Sequence, residues 1–257
     1  MAKSLSGRSS GDCIRADWPA PKTVQAFTTT RKNGFSTGAY ASLNLAQHVE
    51  DDSSVVERNR NWLKDHFNLP SLPVWLQQTH SNTVITADDF RNIETPPEAD
   101  ASWTSNSSVV CAVLTADCLP VFFTNKQGNR VAVAHAGWRG VENGVISRCF
   151  AATGISPEDC LVWLGPAIGA DAFEVGTEVY ETFVKKSPEN AGAFKQKDAQ
   201  HWLCDIYQLA RIELQQLGIQ SIYGGGLCSY SDKANFYSFR RDGNQTGRMA
   251  SLIWLNK

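Results

Sequence analysis

A strongly apolar stretch in the middle of the chain, residues 109–123, constrains the fold more than any other part of the sequence. It is too short to cross a bilayer as a helix, so it indicates strands that are buried in a protein core. Two polar residues, Asp117 and Cys118, interrupt this stretch. Buried strands do not need polar residues at these positions, so the pair points to a functional role.

Strand-like and helix-like segments interleave along the rest of the chain. Runs of β-branched and aromatic residues predict strands, and apolar residues at helical spacing predict helices. Several neighbouring strands are joined by loops too short for a crossover, so the sheet should be mixed. The predicted strands are 24–30, 74–79, 83–86, 109–115, 119–124, 130–134 and 250–255, and the predicted helices are one between 54 and 69, and 141–152, 175–185 and 206–217.

These segments predict one α/β domain at 21–257, preceded by a flexible leader at 1–20. No repeat, linker or low-complexity segment interrupts the chain after residue 20. The leader lacks the apolar stretch of a signal peptide, so we expect a cytoplasmic protein. Seven cysteines without a CxxC pair favour free thiols over a disulfide framework.

The charge balance argues against several classes of partner. The chain has 24 Lys and Arg residues against 26 Asp and Glu residues, for a net charge of −2. Such a chain has no large field of one sign that would attract nucleic acid or an anionic membrane. We therefore expect a small-molecule substrate, and a monomer or a weak homo-oligomer.

Two histidines and one cysteine form a candidate metal site. His80 and His135 each end a strand-like run, and a predicted hairpin that pairs Thr124 with Asn129 places Cys118 opposite His135. A His₂Cys set leaves a fourth position open, as in catalytic zinc sites. The alternative is that the histidines are only hydrogen-bonded and that the cysteine belongs to the core.

Six motifs, taken together and in order, resemble one bacterial family. This is the polyphenol-oxidase or laccase-domain family, whose members are also described as zinc-dependent purine nucleoside phosphorylases and as peptidoglycan editing factors. The resemblance extends from about Thr28 to the C-terminus. The motifs are QTHSN (78–82), EAD (98–100), TADCLPV (115–121), HAGWRG (135–140), GPAIG (165–169) and FYSFRRDG (236–243).

The resemblance has consequences for both fold and function. It implies a three-layer α-β-α fold similar to the catalytic domain of a deamidating bacterial toxin. It implies that His80, Cys118 and His135 are the catalytic residues and the ligands of a Zn²⁺ cofactor. The implied reactions are phosphorolysis of adenosine, inosine and methylthioadenosine, with phosphate as the second substrate, and deamination of adenosine.

Two other functions remain open. His₂Cys is also the equatorial ligand set of a blue-copper site, so Cu²⁺ and polyphenol oxidation are an alternative. A laccase also needs a trinuclear copper cluster, and His48, His66 and His201 lie in unrelated sequence contexts. The second alternative is a metal-free Cys/His amidase or hydrolase that edits peptidoglycan precursors, with Cys118 as nucleophile and His135 as base.

Four residues are candidates for substrate binding. Arg31 and Arg240 could bind phosphate through two parallel hydrogen bonds each. Strand alternation would place Arg240 and Arg241 on opposite faces, so at most one of them should face the site. Asn44 and Gln78 are candidate polar residues of the pocket.

Overall fold

The computed structural model describes residues 11–91, 93 and 95–256. In these ranges the strands are β1 Cys13–Arg15, β2 Val24–Thr29, β3 Val84–Thr86, β4 Ala101–Thr104, β5 Val110–Thr115, β6 Leu119–Asn125, β7 Val131–Ala136, β8 Cys160–Leu164, β9 Glu174–Gly176, β10 Phe194–Gln196, β11 His201–Cys204, β12 Ile222–Gly224 and β13 Met249–Leu255. The α-helices are α1 Ser53–His66, α2 Trp138–Glu142, α3 Val145–Thr153, α4 Thr177–Lys186, α5 Ile206–Gln216 and α6 Phe239–Asp242.

Two large sheets form the centre of the molecule. The six-stranded sheet has the order β12-β8-β6-β7-β4-β3. Its two edge pairs are parallel and its inner pairs are antiparallel, so it is the predicted mixed sheet. The four-stranded sheet, β1-β2-β13-β5, is antiparallel throughout. A third, small sheet has the order β10-β11-β9 and shares a buried cluster with the six-stranded sheet.

The two large sheets stack face to face between helices. Val113 and Ile253 of the four-stranded sheet share one buried cluster with Phe122 and Val133 of the six-stranded sheet. Helix α1 covers the outer face of the four-stranded sheet, and α3 and α5 cover that of the six-stranded sheet. The predicted α/β fold with a mixed sheet is confirmed, but the helices lie on the outer faces of two stacked sheets and not on both faces of one.

The apolar stretch at 109–123 forms buried strands, as predicted. Every residue of β5 and β6 is buried. Strand β5 belongs to the four-stranded sheet and β6 to the six-stranded sheet, so residues 116–118 carry the chain from one sheet to the other. Asp117 has φ of +93° at this turn. The polar pair therefore marks the point at which the chain changes sheets.

The predicted hairpin between β6 and β7 forms with a register that differs by two residues. Thr124 pairs with Val131 and not with Asn129. The side chain of Asn125 accepts a hydrogen bond from the main-chain N–H of Asn129, which holds a wider loop. A shift of two residues leaves each side chain on the predicted face, because side chains alternate with a period of two.

Four other segments differ from the sequence predictions. The predicted strand at 74–79 does not form; only Val74 and Gln77 make isolated bridges, to Cys111 and Glu98. Residues 1–10 of the predicted leader lie outside the described residues, but residues 13–15 form β1, which pairs with β2. Gly144, with φ of +82°, separates α2 from α3 within the predicted helix at 141–152. Arg240 and Arg241 lie in the short helix α6 and not in a strand, so the alternation argument does not apply to them. None of the described helices is long and apolar enough to pass through a bilayer.

Candidate metal centre

The structure brings together the three residues that the sequence singled out. Cys118 lies just before β6, His135 lies in β7, and His80 lies in the segment that leads to β3. Their candidate ligand atoms all lie within 4.8 Å of one another. The Sγ atom of Cys118 is 3.7 Å from Nε2 of His80. His135 is buried, whereas Cys118 is partly exposed and His80 is exposed, so the group opens to solvent on one side.

A glycine makes the close approach of these side chains possible. Pro120 lies opposite His135 in the hairpin, and continuing this register places Cys118 across from Gly137. A Cβ atom on Gly137 would lie 2.9 Å from both Sγ of Cys118 and Cδ2 of His80. Carbon and sulfur atoms do not approach so closely without a shift, so any larger residue at 137 would push the two side chains away.

One buried carboxylate orients both histidines. Oδ1 of Asp100 lies 2.8 Å from Nδ1 of His135. The same carboxylate accepts hydrogen bonds from the main-chain N–H groups of Thr79, His80 and Ser81, at 3.2, 3.1 and 2.7 Å. These bonds hold His80 at φ of +58°, a conformation that few non-glycine residues adopt. Asp100 thus fixes one ring directly and the other through its backbone.

The donor set fits a metal ion. Because Nδ1 of His135 contacts Asp100, Nε2 is the ring nitrogen left to bind a metal, and a carboxylate behind a histidine ligand is common in metal sites. Ligands bound tetrahedrally at about 2.0–2.3 Å from zinc lie about 3.3–3.8 Å apart. The 3.7 Å separation of Cys118 Sγ and His80 Nε2 falls in this range.

The electrostatics of the metal-free group favour a deprotonated sulfur ligand. Burial opposes ionisation of Cys118, but the charge and hydrogen bonds of His135 and then of His80 lower its pKa to about 6. Burial also opposes protonation of His135, but the Cys118 thiolate and Asp100 raise its pKa to about 9. Despite its burial, Asp100 has a pKa lowered to about 2, chiefly by His135 and Ser81. Metals bind the thiolate form of cysteine, which this environment stabilises.

A second carboxylate fixes the turn that carries Cys118. Asp117 accepts hydrogen bonds from the hydroxyl groups of Ser229 and Ser238, at 2.6 and 3.0 Å. It also accepts one from the main-chain N–H of Arg240, at 2.6 Å. Both of its oxygens are therefore engaged, and Asp117 connects the sheet-changing turn to helix α6.

A cavity of about 510 Å³ lies beside the three candidate ligands. This volume is typical of small-molecule sites. Its remaining wall combines apolar side chains with a histidine and an arginine, among them Trp138, Phe173, Phe239, His48 and Arg248. Phe239 is 48% exposed at the rim. The cavity can therefore hold a planar apolar group and a polar or anionic group beside a metal.

Comparison with known proteins agrees with this geometry. Residues 25–256 match the family described as multi-copper polyphenol oxidoreductase laccase. The chain belongs to this family. The resemblance that the motifs predicted is thereby confirmed, and the family description together with the His/Cys/His group indicates a metal.

Relatives in this laccase family match the chain over nearly its whole length. A Pseudomonas aeruginosa protein named purine nucleoside phosphorylase PA4543 is 48% identical over 94% of this chain and 98% of its own. Purine nucleoside phosphorylase YfiH of Escherichia coli is also 48% identical, with the same coverage. The crystal structure of Neisseria meningitidis protein NMB0706, 46% identical, has a TM-score of 0.91 and covers 96% of this chain and 100% of that chain.

Two of the four predicted substrate residues of this laccase-family chain line the cavity. Gln78 is on the wall, but its amide group both donates to and accepts from the main chain of Leu114, at 2.8 and 2.7 Å. Arg240 is on the wall and exposed, and its Nη1 donates to the main-chain oxygen of Glu174 at 2.8 Å. Arg241 binds main-chain oxygens, including that of Ser229, and is not on the wall.

The other two predicted substrate residues are not on the cavity wall. Arg31 donates from Nε to the main-chain oxygen of Ala41 at 2.9 Å, and its guanidinium lies over the ring of Tyr237. Asn44 is fully buried and accepts from the main-chain N–H groups of Ala46 and Arg248, at 3.1 and 3.0 Å. Asn44 thereby joins two segments that line the cavity.

Three residues of the site were not predicted from the sequence. Asp100 stands in the EAD motif, but nothing in the sequence shows which groups a buried carboxylate will contact. His48 was placed in an unrelated context, yet it lines the cavity. Arg248 was not singled out, and it also lines the cavity. His48 and Arg248 come from segments near Asn44, and Asn44 was the one residue of these segments that the sequence named as a candidate for the pocket.

Proposed function

We propose that this chain is a zinc-dependent purine nucleoside phosphorylase that also deaminates adenosine. Adenosine, inosine and methylthioadenosine are the nucleoside substrates, and the protein acts in the cytoplasm as a monomer or a weak homo-oligomer. One observation carries the proposal: a His80–Cys118–His135 group opens onto a cavity of nucleoside size. Relatives that are 48% identical and named purine nucleoside phosphorylase support the same activity.

The zinc ion would be held by His80, Cys118 and His135, with one coordination position left for a ligand. When bound, zinc supplies a Lewis acid at the cavity wall. Asp100 keeps Nε2 of His135 directed to the metal by binding Nδ1. Asp117 holds Cys118 in place by fixing the turn before β6.

The rest of the cavity would bind the nucleoside and phosphate. Trp138, Phe173 and Phe239 offer aromatic surface for a purine ring. Gln78 and Arg240 contribute polar groups on the wall. These side chains would set the position of the nucleoside relative to the metal. Positioning of the reactants accounts for much of the rate of an enzyme that brings two substrates together.

We choose zinc over copper because a laccase would need further histidines to bind additional copper ions, and two of the candidate histidines have other partners. His66 contacts Asp12, and His201 contacts Asp198, both outside the cavity wall. A blue-copper site commonly adds a weak methionine ligand, but Met249 is not on the cavity wall and its thioether accepts the main-chain N–H of Tyr237. These contacts disfavour a multi-copper cluster. Metal analysis of protein purified without added metal should give about one zinc per chain.

A second candidate function, amide hydrolysis without a metal, also has an observation in its favour. In space, Cys118 contacts His135, and His135 contacts Asp100. The three residues could therefore act as a nucleophile, a base and a carboxylate that orients the base. Such an arrangement is typical of cysteine hydrolases. Removal of metal with a chelator separates the two candidates, because a Cys/His amidase retains its activity and a zinc phosphorylase loses it.

The identity of the products tests the proposed function. Metal-analysed protein is incubated with inosine or adenosine, with and without phosphate, and the products are separated by chromatography. We expect hypoxanthine and ribose 1-phosphate from inosine only when phosphate is present, and inosine from adenosine. Cys118→Ala should give neither product, whereas the control Cys149→Ala, which removes a buried thiol of α3, should give both. Absence of base release from inosine plus phosphate would contradict the proposal.

A further inference from the structure

Phosphorolysis needs a cationic group that holds phosphate inside the cavity. Arg139, Arg240 and Arg248 line the wall. Arg139 is exposed and lies over the ring of Trp138, with 4.3 Å between its Cζ atom and the ring centre. Arg240 is also exposed and donates to the main chain of Glu174. Solvent weakens the attraction of exposed cations for an anion, so neither is the strongest candidate.

Arg248 differs because it is partly buried and because only one of its three guanidinium nitrogens makes hydrogen bonds. Its Nη1 donates to the main-chain oxygens of Thr246 and Gly247, at 2.6 and 3.1 Å. In the described part of the chain, Nε and Nη2 have no hydrogen-bond acceptor, and neither is a fully buried polar atom. One edge of the guanidinium is therefore free and accessible. That edge presents the two parallel N–H donors that match two oxygens of a phosphate.

The charge of Arg248 also lacks a direct partner. Within the described residues, no carboxylate oxygen lies within 4.0 Å of its guanidinium. The Cys118 thiolate and the Asp117 carboxylate are the main negative groups that act on it through space. A zinc ion on Cys118 would offset the charge of the thiolate, and the cation would then be free to attract an anion.

The main chain holds Arg248 in place. Its N–H donates to Oδ1 of Asn44 at 3.0 Å, and its carbonyl oxygen accepts from Leu45 at 3.4 Å. The next residue, Met249, is fully buried at the start of β13. A binding group carried by a rigid element loses less freedom when its ligand arrives.

We propose that Arg248 binds the phosphate substrate through its Nε and Nη2 atoms, a role that rests on the proposed phosphorylase activity. The assignment replaces Arg31 and Arg240 as the principal phosphate-binding pair. Phosphate then lies beside Arg248 on the cavity wall, near His48, on which the charge of Arg248 acts.

Two variants test this role, with a matched control. Arg248→Met removes the charge and keeps much of the volume, and Arg248→Lys keeps the charge but loses the paired donors. Arg148→Met is the control, because Arg148 is exposed on α3 and away from the cavity. Binding of inorganic phosphate to the zinc-loaded proteins is measured by calorimetry. The phosphate dependence of inosine cleavage is measured at saturating inosine.

We expect Arg248→Met to weaken phosphate binding and raise the KM for phosphate by roughly 10- to 100-fold, as loss of a charge-assisted bidentate contact should. Arg248→Lys should have a smaller effect in the same direction. The KM for inosine and the zinc content should stay within twofold of wild type in both variants. Arg148→Met should match wild type in every measurement.

The outcomes separate this inference from the proposed function. If wild type cleaves inosine with phosphate and Arg248→Met has the wild-type phosphate dependence, the inference is overturned and the proposed function stands. If wild type releases no base, the proposed function fails, and calorimetry still decides whether Arg248 binds an anion. If Arg248→Met does not fold, as judged by circular dichroism, Arg248→Lys decides: wild-type phosphate affinity overturns the role, and a loss supports it.

Discussion

The two sides of the cavity are built in different ways. The ligand side carries His80, Cys118 and His135, which lie at or beside strands of the six-stranded sheet. A second part of the wall, the loop side, carries His48, from a loop before α1, and Arg248, from the loop that leads to β13. On the ligand side, strand pairing sets the spacing of Cys118 and His135. On the loop side, side-chain hydrogen bonds to loop backbone position the two residues.

This difference determines which changes each side tolerates. The ligand side depends on two buried carboxylates, Asp100 and Asp117, which accept hydrogen bonds from several segments at once. The loop side depends on the buried amide of Asn44, which connects the loops of His48 and Arg248. Changes on the ligand side should alter metal binding, and changes on the loop side should leave the metal in place.

The largest expected effect follows removal of a metal ligand. His80→Ala, Cys118→Ala and His135→Ala should each reduce zinc from about one per chain to near zero, because two ligands hold a metal far less tightly than three. The fold should persist, since the sheets do not depend on the metal for their core. Plasma mass spectrometry and circular dichroism measure the two quantities. Stoichiometric zinc in all three variants would show that the site is wrongly assigned.

A smaller effect is expected when the ligands remain but lose their orienting carboxylate. Asp100→Asn should lower zinc affinity by roughly 10- to 100-fold, a typical cost for a lost partner of a histidine ligand. Competition with a chromophoric chelator measures the affinity. Asp89→Asn, at an exposed position, is the control and should match wild type. Equal affinities in the two variants would mean that Asp100 does not orient the ligands.

A steric change on the ligand side should have a still smaller effect. In Gly137→Ala, the new Cβ would meet Cys118 and His80 at 2.9 Å and displace them. Because φ of Gly137 is −66°, alanine fits the backbone and the effect is purely steric. We expect a several-fold loss of zinc affinity, measured by the same competition. Gly192→Ala, whose Cβ meets nothing within 4 Å, should bind zinc as wild type does.

The smallest effect is expected from a residue outside both sides. Arg31→Ala loses a hydrogen bond to Ala41 and a contact with the Tyr237 ring. It should lower the free energy of unfolding by about 1–2 kcal/mol in denaturant titrations. Zinc content and the KM for phosphate should not change. A large rise in the KM for phosphate would restore Arg31 to the phosphate-binding role that the sequence suggested.

The contrast between the two sides also explains what could be predicted from the sequence. The strands of the apolar stretch and the candidate metal ligands were predictable, because polar residues at the ends of apolar runs mark sheet edges. The hairpin register was missed by two residues, since Asn125 binds the main chain of Asn129 and widens the loop. Apolar periodicity did not distinguish one sheet from two stacked sheets, because residues buried between sheets and beneath helices have the same pattern.

The residues of the loop side were not predictable in the same way. Arg248 and His48 are 200 residues apart in the sequence, and hydrogen bonds made by Asn44 and Leu45 join their loops. Asn44 was singled out for a pocket role, but its contacts place it behind the wall. Similarly, Arg240 reaches the cavity because Ser238 caps the N-terminus of helix α6, and the strand-like motif FYSFRRDG gave no sign of this helix.

Titration of zinc into metal-free protein tests the central claim most directly. Protein stripped with a chelator receives increasing zinc, and the release of hypoxanthine from inosine plus phosphate is followed at each step. Activity should rise in proportion to zinc and level off at one equivalent per chain, and Cys118→Ala should stay inactive throughout. Full activity in the metal-free protein, or zinc-restored activity in Cys118→Ala, would contradict the account.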